Sequence, residues 1–552
     1  MADDFSERYG DLLSGSYDCV DRIVLNAYFS LGHNPGGFRT WWRRWHDGSD
    51  EDLDNTHLMR MAGRFARRVK AWGQANDVPV IYCKAGERKH LIAQEHLAGR
   101  PPSRPGVFLV LVAKAPATVW EVRRSESSGV IGNIVKKTAY VNHYSFHIMD
   151  PAWGHVTIKM SGAPAVPRPV ILNGHEYVAA TAHAAGIGFS KEGNCFTGIA
   201  DPHRLARVAD TLSQPAAIGR LGQVCDRWIY SACLCFGLDL AEQGMSWFRY
   251  SYTVYQAEYS RNLLFRSGGQ MEDLFDRVLD RTRSRLDIPA LRTLFGLKNR
   301  PHCNRAAGPP AQEIVIEKSQ YGLTWFKVAF GRLQCKAYTK GEHVLRFEAT
   351  VHNTKELRCR RSLENFPEII ARLAGIAGRF ATTLDCADVS FIADGLLDEL
   401  PLPSQLGSTR TGGIDLNKPR IRAALAAALT LAAAPHGFTV AQFTAQARQL
   451  GHNAGYTTRQ GAYDLRKLRG KGLAVKLGTT RRYHIPAGQA RTITALLAIR
   501  DQVIAPILAG VRSPRRGRKP AHWTLIDRDY ETLRIGMQNL FHDLGITPIA
   551  AT

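Results

Sequence analysis

Residues 456–485, YTTRQGAYDLRKLRGKGLAVKLGTTRRYHI, read as a helix followed by a basic two-stranded hairpin, the pattern of a DNA-binding winged helix. Thr457 or Thr458 caps the helix, because a hydroxyl there accepts a hydrogen bond from the free N–H groups of the first turn. Tyr463, Leu465 and Leu468 are spaced to face a core, while Arg459, Gln460, Arg466, Lys467 and Arg469 point outward. Gly470 and Gly472 stop the helix. Leu473–Leu477, a Gly478-Thr479-Thr480 turn and Arg481–Ile485 then form the hairpin, with Arg481 and Arg482 at its tip and return strand. Such a helix can enter a major groove while the hairpin holds flanking phosphates. A winged helix used only for protein contact is the competing reading; outward Arg and Lys on both parts favour phosphate.

Charge extends the same reading along the chain. The 552 residues carry a formal net charge of +23, which favours polyanionic partners. Residues 405–552 hold 22 Lys+Arg against 7 Asp+Glu, a net +15 of that excess. Part of it is the run Arg512-Ser-Pro-Arg515-Arg516-Gly-Arg518-Lys519-Pro, which Pro and Gly keep from being a regular helix. Arg515, Arg516, Arg518 and Lys519 suit a phosphate-binding arm, or else a solvated linker.

A hydrophobic share of 45% marks a globular protein with several cores, and the length predicts roughly three to five domains. The ten cysteines show no zinc-knuckle spacing; small buried thiols in a reducing cytosol are expected. The start, MADDFSERYGD, is acidic and without an apolar core, so no signal peptide is expected. The apolar run AALAAALTLAAA at 423–434 is too short to span a bilayer, and the expected setting is cytoplasmic.

The expected class is an α+β multidomain protein. A mixed α/β domain fills 1–100, with a strand at Val20–Asn26, a helix capped by Asn55 or Thr56 and a strand at Val78–Tyr82. In that helix Met61, Phe65, Val69 and Trp72 share one face. Residues 101–180 form a β-rich segment of the core, with Gly106–Ala113 as a strand buried on both faces. Residues 181–300 are expected to be helical, and 301–400 to add β-hairpins and a helix that complete the core. LPLPSQLGSTRTGG (400–413) reads as a linker, so 401–435 is linker and helix, 436–500 the winged helix and 501–552 a basic tail.

Four constellations carry candidate chemistry. Asn142–Lys159 reads as strand, Asp150, Gly-containing turn and strand. RNase H-like nucleases open in this way, their aspartate binding a divalent metal; Mg²⁺ prefers such hard oxygen ligands. An aspartate that merely caps a turn fits the same residues. His143, Ser145 and His147 lie on one face of that strand, too far apart for both histidines to share a metal easily. In Leu172-Asn173-Gly174-His175-Glu176-Tyr177, the Gly turn followed by His175-Glu176 can place a metal ligand or a general base at a helix start, or Glu176 simply stabilises that start. In Tyr252–Tyr259 the paired Tyr255 and Tyr259 are spaced like nuclease nucleophiles. No His-hydrophobic-His clamp accompanies them, so they read as helix packing, with Glu258 the better candidate. In Cys335–Asn353, a Lys-Gly turn joins two strands that put Arg346, Glu348 and Thr350 on one face. Asp150, Glu258 and Glu348 are the candidate metal ligands, and with Glu176 the candidate catalytic carboxylates.

This last hairpin resembles the Tyr-x-Lys-Gly and Arg-x-Glu hairpin of plasmid replication initiators, whose glutamate helps hold a metal. Their catalytic tyrosine lies just upstream, where this chain reads Leu333-Gln334-Cys335. More widely, DRIVLNAYF, KAGERKH (84–90), HYSFHIMDPAWGHVTIK, LNGHEY, YTKGEHVLRFEATVHN and the terminal module together resemble a widespread family of bacterial proteins with a C-terminal winged helix. In KAGERKH, Lys84, Arg88 and Lys89 beside Glu87 suit either a phosphate contact or an exposed helix start. The resemblance implies one integrated machine but no particular reaction. The expectation is a nucleic-acid-binding protein, with DNA as partner and RNA, even a guide RNA, allowed by the basic surface. It is read as a metal-dependent nuclease or processing enzyme of a mobile element. The alternatives are a non-catalytic replication initiator or regulator, and a structural RNA-binding protein.

Overall fold

The computed structural model describes residues 4–98, 104–125, 129–161, 168–285, 314–318, 324–330, 332–388, 396–432, 434, 437–504, 525, 528–529, 531–533 and 535–536. The chain divides into two compact units: Tyr9–Glu272 with Ile316–Gly378, and Met1–Arg8 with Asp273–Val315 and Arg379–Thr552. Helices and a large mixed sheet make the class α+β.

The sheet has eleven strands: β1 (Leu13–Tyr28), β2 (Val80–Tyr82), β3 (Gly106–Arg124), β4 (Ile131–Asp150), β5 (Gly154–Ser161), β6 (Arg168–Asn173), β7 (Ser251–Phe265), β8 (Ile314–Lys318), β9 (Thr324–Phe330), β10 (Leu333–Lys340) and β11 (Val344–Val351). Their order across the sheet is β8-β9-β10-β11-β7-β1-β6-β5-β4-β3-β2. β2 runs parallel to β3, whereas β1, β4–β7 and β9–β11 pair antiparallel.

β7 departs from the helical expectation for 181–300. Tyr255 and Tyr259 suggest a helical repeat, but SYTVYQAEYSRNLLF is rich in aromatic and β-branched residues and lies between β1 and β11. Ser260–Phe265 are all buried, so the period-two signal of a half-exposed strand is lost. Helices do fill much of the remainder, at Pro202–Asp210, Ala216–Ala232 and Gly268–Arg285. The helix Asn55–Ala75 is capped by Asp54, whose side chain accepts from the His57 N–H at 2.6 Å. Asn55 instead brackets the Val122 peptide on β3, donating to its carbonyl and accepting from its N–H.

A bulge fixes the centre of the sheet. Val20 pairs with Tyr259 and Ile23 with Ala257, so β1 has one residue more than β7 between those pairs. The helix Gly174–Ala184 starts against that bulge, with Asn173 as its cap, accepting from the His175 N–H at 3.0 Å. A Cβ on Gly174 would stand 1.8 Å from the Val20 carbonyl oxygen, so only glycine admits this approach.

The second unit contains the C-terminal module. The helices Pro419–Thr430, Val440–Leu450 and Thr458–Gly470 precede the hairpin Val475–Lys476/Tyr483–His484 and the helix Ala487–Ala498. Phe438 bridges to Tyr483, adding a third extended segment to the hairpin. One core runs from Leu400 through Leu425, Phe443, Leu465 and Leu468 to Leu496. It leaves no boundary at 435, and 400–413 is no open linker. Ser404–Leu406 pairs with Thr409–Thr411, and the Ile414 N–H donates to the Leu400 carbonyl. The run 423–434 supplies part of this core, and no helix among the described residues is long and apolar enough to cross a membrane.

Gly174→Ala is expected to lower unfolding stability by about 1–3 kcal/mol, because the added methyl must push the helix off β1. Chemical denaturation checks this; wild-type stability would mean the helix start can shift freely.

Candidate functional site

Register sets a polar field on one sheet face. Direct antiparallel partners share a face, so three rows cross β10, β11, β7 and β1. They are Tyr338–Arg346–Asn262–Tyr17, Lys336–Glu348–Ser260–Cys19, and Gln334–Thr350–Glu258 ending at the bulge that carries Asp21. The expectation that Arg346, Glu348 and Thr350 share a face is met.

Arg346 is wholly buried at the centre of this field. Its Nε donates to Asn262 Oδ1 at 2.6 Å, Nη1 reaches Asp21 Oδ2 and the Tyr338 hydroxyl at 3.5 Å each, and Nη2 donates to the Asn194 carbonyl. Asp21, also buried, accepts from Ser260 Oγ at 3.1 Å and lies 2.6 Å from His175 Nδ1. That last approach is close but lacks the alignment of a hydrogen bond. Arg346 Nη2 stands 3.3 Å from His175 Nε2. A guanidinium only donates, so Nε2 accepts and the proton of a neutral ring sits on Nδ1. Glu348 accepts from Lys336 Nζ at 2.8 Å, the Tyr338 hydroxyl at 2.8 Å and Thr350 Oγ1 at 3.0 Å.

Burial and charge set the protonation of this field. Burial alone would raise the Asp21 carboxyl, but His175 and Arg346 beside it bring it below the usual range, so Asp21 is ionised. Burial pushes His175 down, against the pull of Asp21. Burial, then the charges of Glu348 and Asp21, push Glu258 up to about 7. Gln256 Nε2 donates to Glu258 Oε1 at 3.0 Å. Burial, with Asp21 next in effect, holds the Cys19 thiol well above its ordinary value.

Cys19, Asp21 and His175 are all buried, and one donor atom from each lies within 4.8 Å of the others. This group could hold a metal ion. The sequence points to the His175-Glu176 turn as a place for a ligand but not to Cys19 and Asp21 as its partners, which lie some 150 residues away. The available signals were an acid inside the apolar run VDRIVL and the histidine of NGHEY.

The sequence-chosen carboxylates part company. Glu258 and Glu348 lie on adjacent strands of the field, but Asp150 does not join them. It sits at the β4–β5 turn, four strands from β7, which at about 4.8 Å per strand is about 19 Å away. Its oxygens accept from Ala152 N (2.8 Å), Trp153 N (2.9 Å), Arg227 Nη1 (2.9 Å) and Trp228 Nε1 (2.7 Å). Asp150 therefore caps a turn and braces a helix, and as a shared metal ligand it is corrected. Glu176 pairs with Lys191 Nζ. Tyr255 and Tyr259 are about 13 Å apart along a strand, and Tyr259 donates to Asp18 Oδ2 at 2.7 Å. His147 meets not His143 but His155, their Nδ1 and Nε2 lying 3.0 Å apart across the hairpin. In KAGERKH, Glu87 accepts from the Lys84 N–H at 2.7 Å, and the helix Lys89–Leu97 follows.

In the C-terminal module the cap is Thr457, with Gln460 completing a capping box. Gln460 is thereby engaged in the fold. Leu465 and Leu468 are buried, but Tyr463 is 40% exposed with Lys467 Nζ 5.1 Å over its ring. Asp464 takes the inner place instead, bonded to Tyr456 and Arg420. Arg469 stacks over Tyr483 at 5.8 Å, and Arg482 Nη1 donates to the Gly437 carbonyl at 3.1 Å. Arg459, Arg466 and Arg481 are exposed. Arg515, Arg516, Arg518 and Lys519 lie outside the described residues.

Comparison of the chain with protein-family models, with curated proteins and with solved structures finds no match.

Two measurements probe the field. Arg346→Met strands Asp21 as a buried charge and is expected to cost about 3–5 kcal/mol of unfolding free energy. A loss below about 1 kcal/mol in urea denaturation would remove Arg346 from the centre of the network. Glu258 holds its proton more tightly folded than unfolded, so its contribution is complete below about pH 4.3 and fades as pH rises through about 7. Glu258→Gln should remove that part of the decline in stability between these values; identical wild-type and variant pH profiles would refute the assignment.

Proposed function

We propose that this chain is a nucleic-acid-binding protein whose C-terminal module is a winged helix that grips DNA. The observation that carries this reading is the exposed set Arg459, Arg466 and Arg481 on the helix Thr458–Gly470 and the adjoining hairpin. Lys467, Arg469 and Arg482 brace the same elements while leaving their charge at the module's surface. Cations free of acidic partners are what phosphate contact requires.

The polar sheet face is the proposed place of chemistry: a metal-dependent nuclease or nucleic-acid-processing reaction of a mobile element. Glu258 is the foremost candidate, a half-buried carboxylate with few partners that is set to exchange a proton near neutral pH. Glu348 stands beside it, and Asp21 replaces Asp150 as the third acid of the field. Mg²⁺ suits the oxygens of Glu258 and Glu348, whereas the sulfur and nitrogen of Cys19 and His175 suit Zn²⁺. One observation favours a second reading, a non-catalytic initiator or regulator: Glu348 already accepts three hydrogen bonds and is poorly placed to bind a metal. RNA in place of DNA is the remaining alternative.

Arg459→Ala/Arg466→Ala should weaken duplex DNA binding about tenfold and reduce the salt slope of log K by about 2, followed by fluorescence anisotropy. Unchanged affinity and slope would refute the winged-helix role. With Mg²⁺ and labelled single- and double-stranded DNA, wild type is expected to cleave and Glu258→Gln to lose at least about 100-fold in rate. Cleavage by neither protein would favour the non-catalytic reading.

A further inference from the structure

β3 and β4 extend well past the sheet. β2 pairs with β3 over Val110–Val112, and β5 with β4 over His143–Asp150. Among the described residues, the segments 113–124 and 131–142 therefore pair only with each other, as a two-stranded ribbon of about 40 Å at roughly 3.3 Å per residue. Its far end is clamped. Trp120 Nε1 donates to the Gly32 carbonyl at 3.1 Å, and the Trp120 ring stacks on Phe38 at 5.7 Å. Arg124 donates to the carbonyls of Glu51 and Leu53 at 2.8 and 3.1 Å.

The register gives one ribbon face an unusual composition. Lys114 pairs with Asn142, Pro116 with Tyr140, Thr118 with Thr138, and Trp120 with Lys136. Lys114, Pro116, Thr118, Lys136, Thr138 and Tyr140 are exposed, Tyr140 at 78%. No carboxylate lies in these rows; Glu121 belongs to the other face, 3.8 Å from Arg123 and 3.9 Å from Lys137. Charged side chains that protect an open strand edge would account for the lysines. They do not account for a tyrosine left in water between threonines and lysines.

We infer that this ribbon is a second nucleic-acid-binding surface, one that lies in the major groove of duplex DNA. A two-stranded ribbon matches the width of that groove, whereas the major groove of double-stranded RNA is too deep and narrow for it. Lys114 and Lys136 meet phosphates on either side, and Thr118, Thr138 and Asn142 face base edges. The clamped end lets the ribbon bind without first being ordered. The inference rests on the nucleic-acid reading above but not on the winged helix.

The test uses the full chain, a fluorescein-labelled DNA duplex and the RNA duplex of the same sequence, in anisotropy titrations from about 50 to 200 mM NaCl. Lys114→Gln/Lys136→Gln is expected to reduce the salt slope on DNA by about 2, each cation contributing about 0.9. Tyr140→Ala is expected to weaken DNA binding severalfold at fixed salt. All three sites are exposed, and a thermal melt matching wild type confirms that the fold is kept. An unchanged slope and affinity, with binding still weakened in Arg459→Ala/Arg466→Ala, would overturn the ribbon while sparing the winged helix. A slope change confined to the RNA duplex would equally overturn it. A wild-type protein that binds neither duplex would bring down the nucleic-acid reading itself.

Discussion

The buried pair Arg346–Asp21 is the constraint around which the sheet is arranged. Removing both charges from water costs several kcal/mol per ion, which the pair alone does not offset at 3.5 Å. The remaining donors and acceptors must therefore be satisfied by neighbours, and each neighbour fixes a piece of the fold. Asn262 and Ser260 tie β7 to β11 and β1, Asn194 brings over the face a short hairpin in which Ser190–Lys191 pairs with Phe196–Thr197, and His175 draws down the start of its helix. Alternation along Tyr17, Cys19 and Asp21 brings Asp21 to the polar face, and the glycine at 174 lets the helix backbone come close to the adjoining bulge in β1.

What could be read from residues alone depended on how local the physics was. The hairpins 142–159 and 333–351 declare themselves by turn glycines and alternation, because their partners are adjacent in sequence. A threonine cap at 457 or 458 was legible for the same reason, although the part of Gln460 in the capping box was not. β7 was not, because a strand buried between two others has no exposed edge to impose a period. The Asp21–His175–Arg346 network was not legible either: its members come from three distant segments, and nothing local distinguishes Asp21 from any acid near a strand. Asp150 misled for the converse reason. Its strand–Asp–turn pattern was correctly read, but the same pattern serves a carboxylate whose oxygens are filled by two turn amides, an arginine and an indole.

Net charge likewise says less than the position of each cation. Basic residues differ in setting: Arg346 is buried and holds the sheet, whereas Arg124 clamps the ribbon from an exposed position and Arg482, partly exposed, fastens its hairpin. Arg346 contributes to the formal +23 but not to the surface charge. The cations that matter for a polyanion are those whose acid partners are absent, and by that criterion the exposed arginines of the C-terminal module outrank the larger basic total around them.

The same reasoning bears on metal chemistry at the sheet face. An ion at Cys19, Asp21 and His175 would take Asp21 from Arg346, and a thiolate would have to replace a thiol that burial holds protonated. Binding would thus release a proton and leave Arg346 to lean on Tyr338 and, through it, on Glu348. An ion at Glu258 and Glu348 makes the opposite demand: it leaves the Asp21 pair intact but must draw Glu348 away from Lys336, Tyr338 and Thr350. Glu348 is thus the carboxylate on which both demands converge, whether as counter-charge for Arg346 or as a ligand.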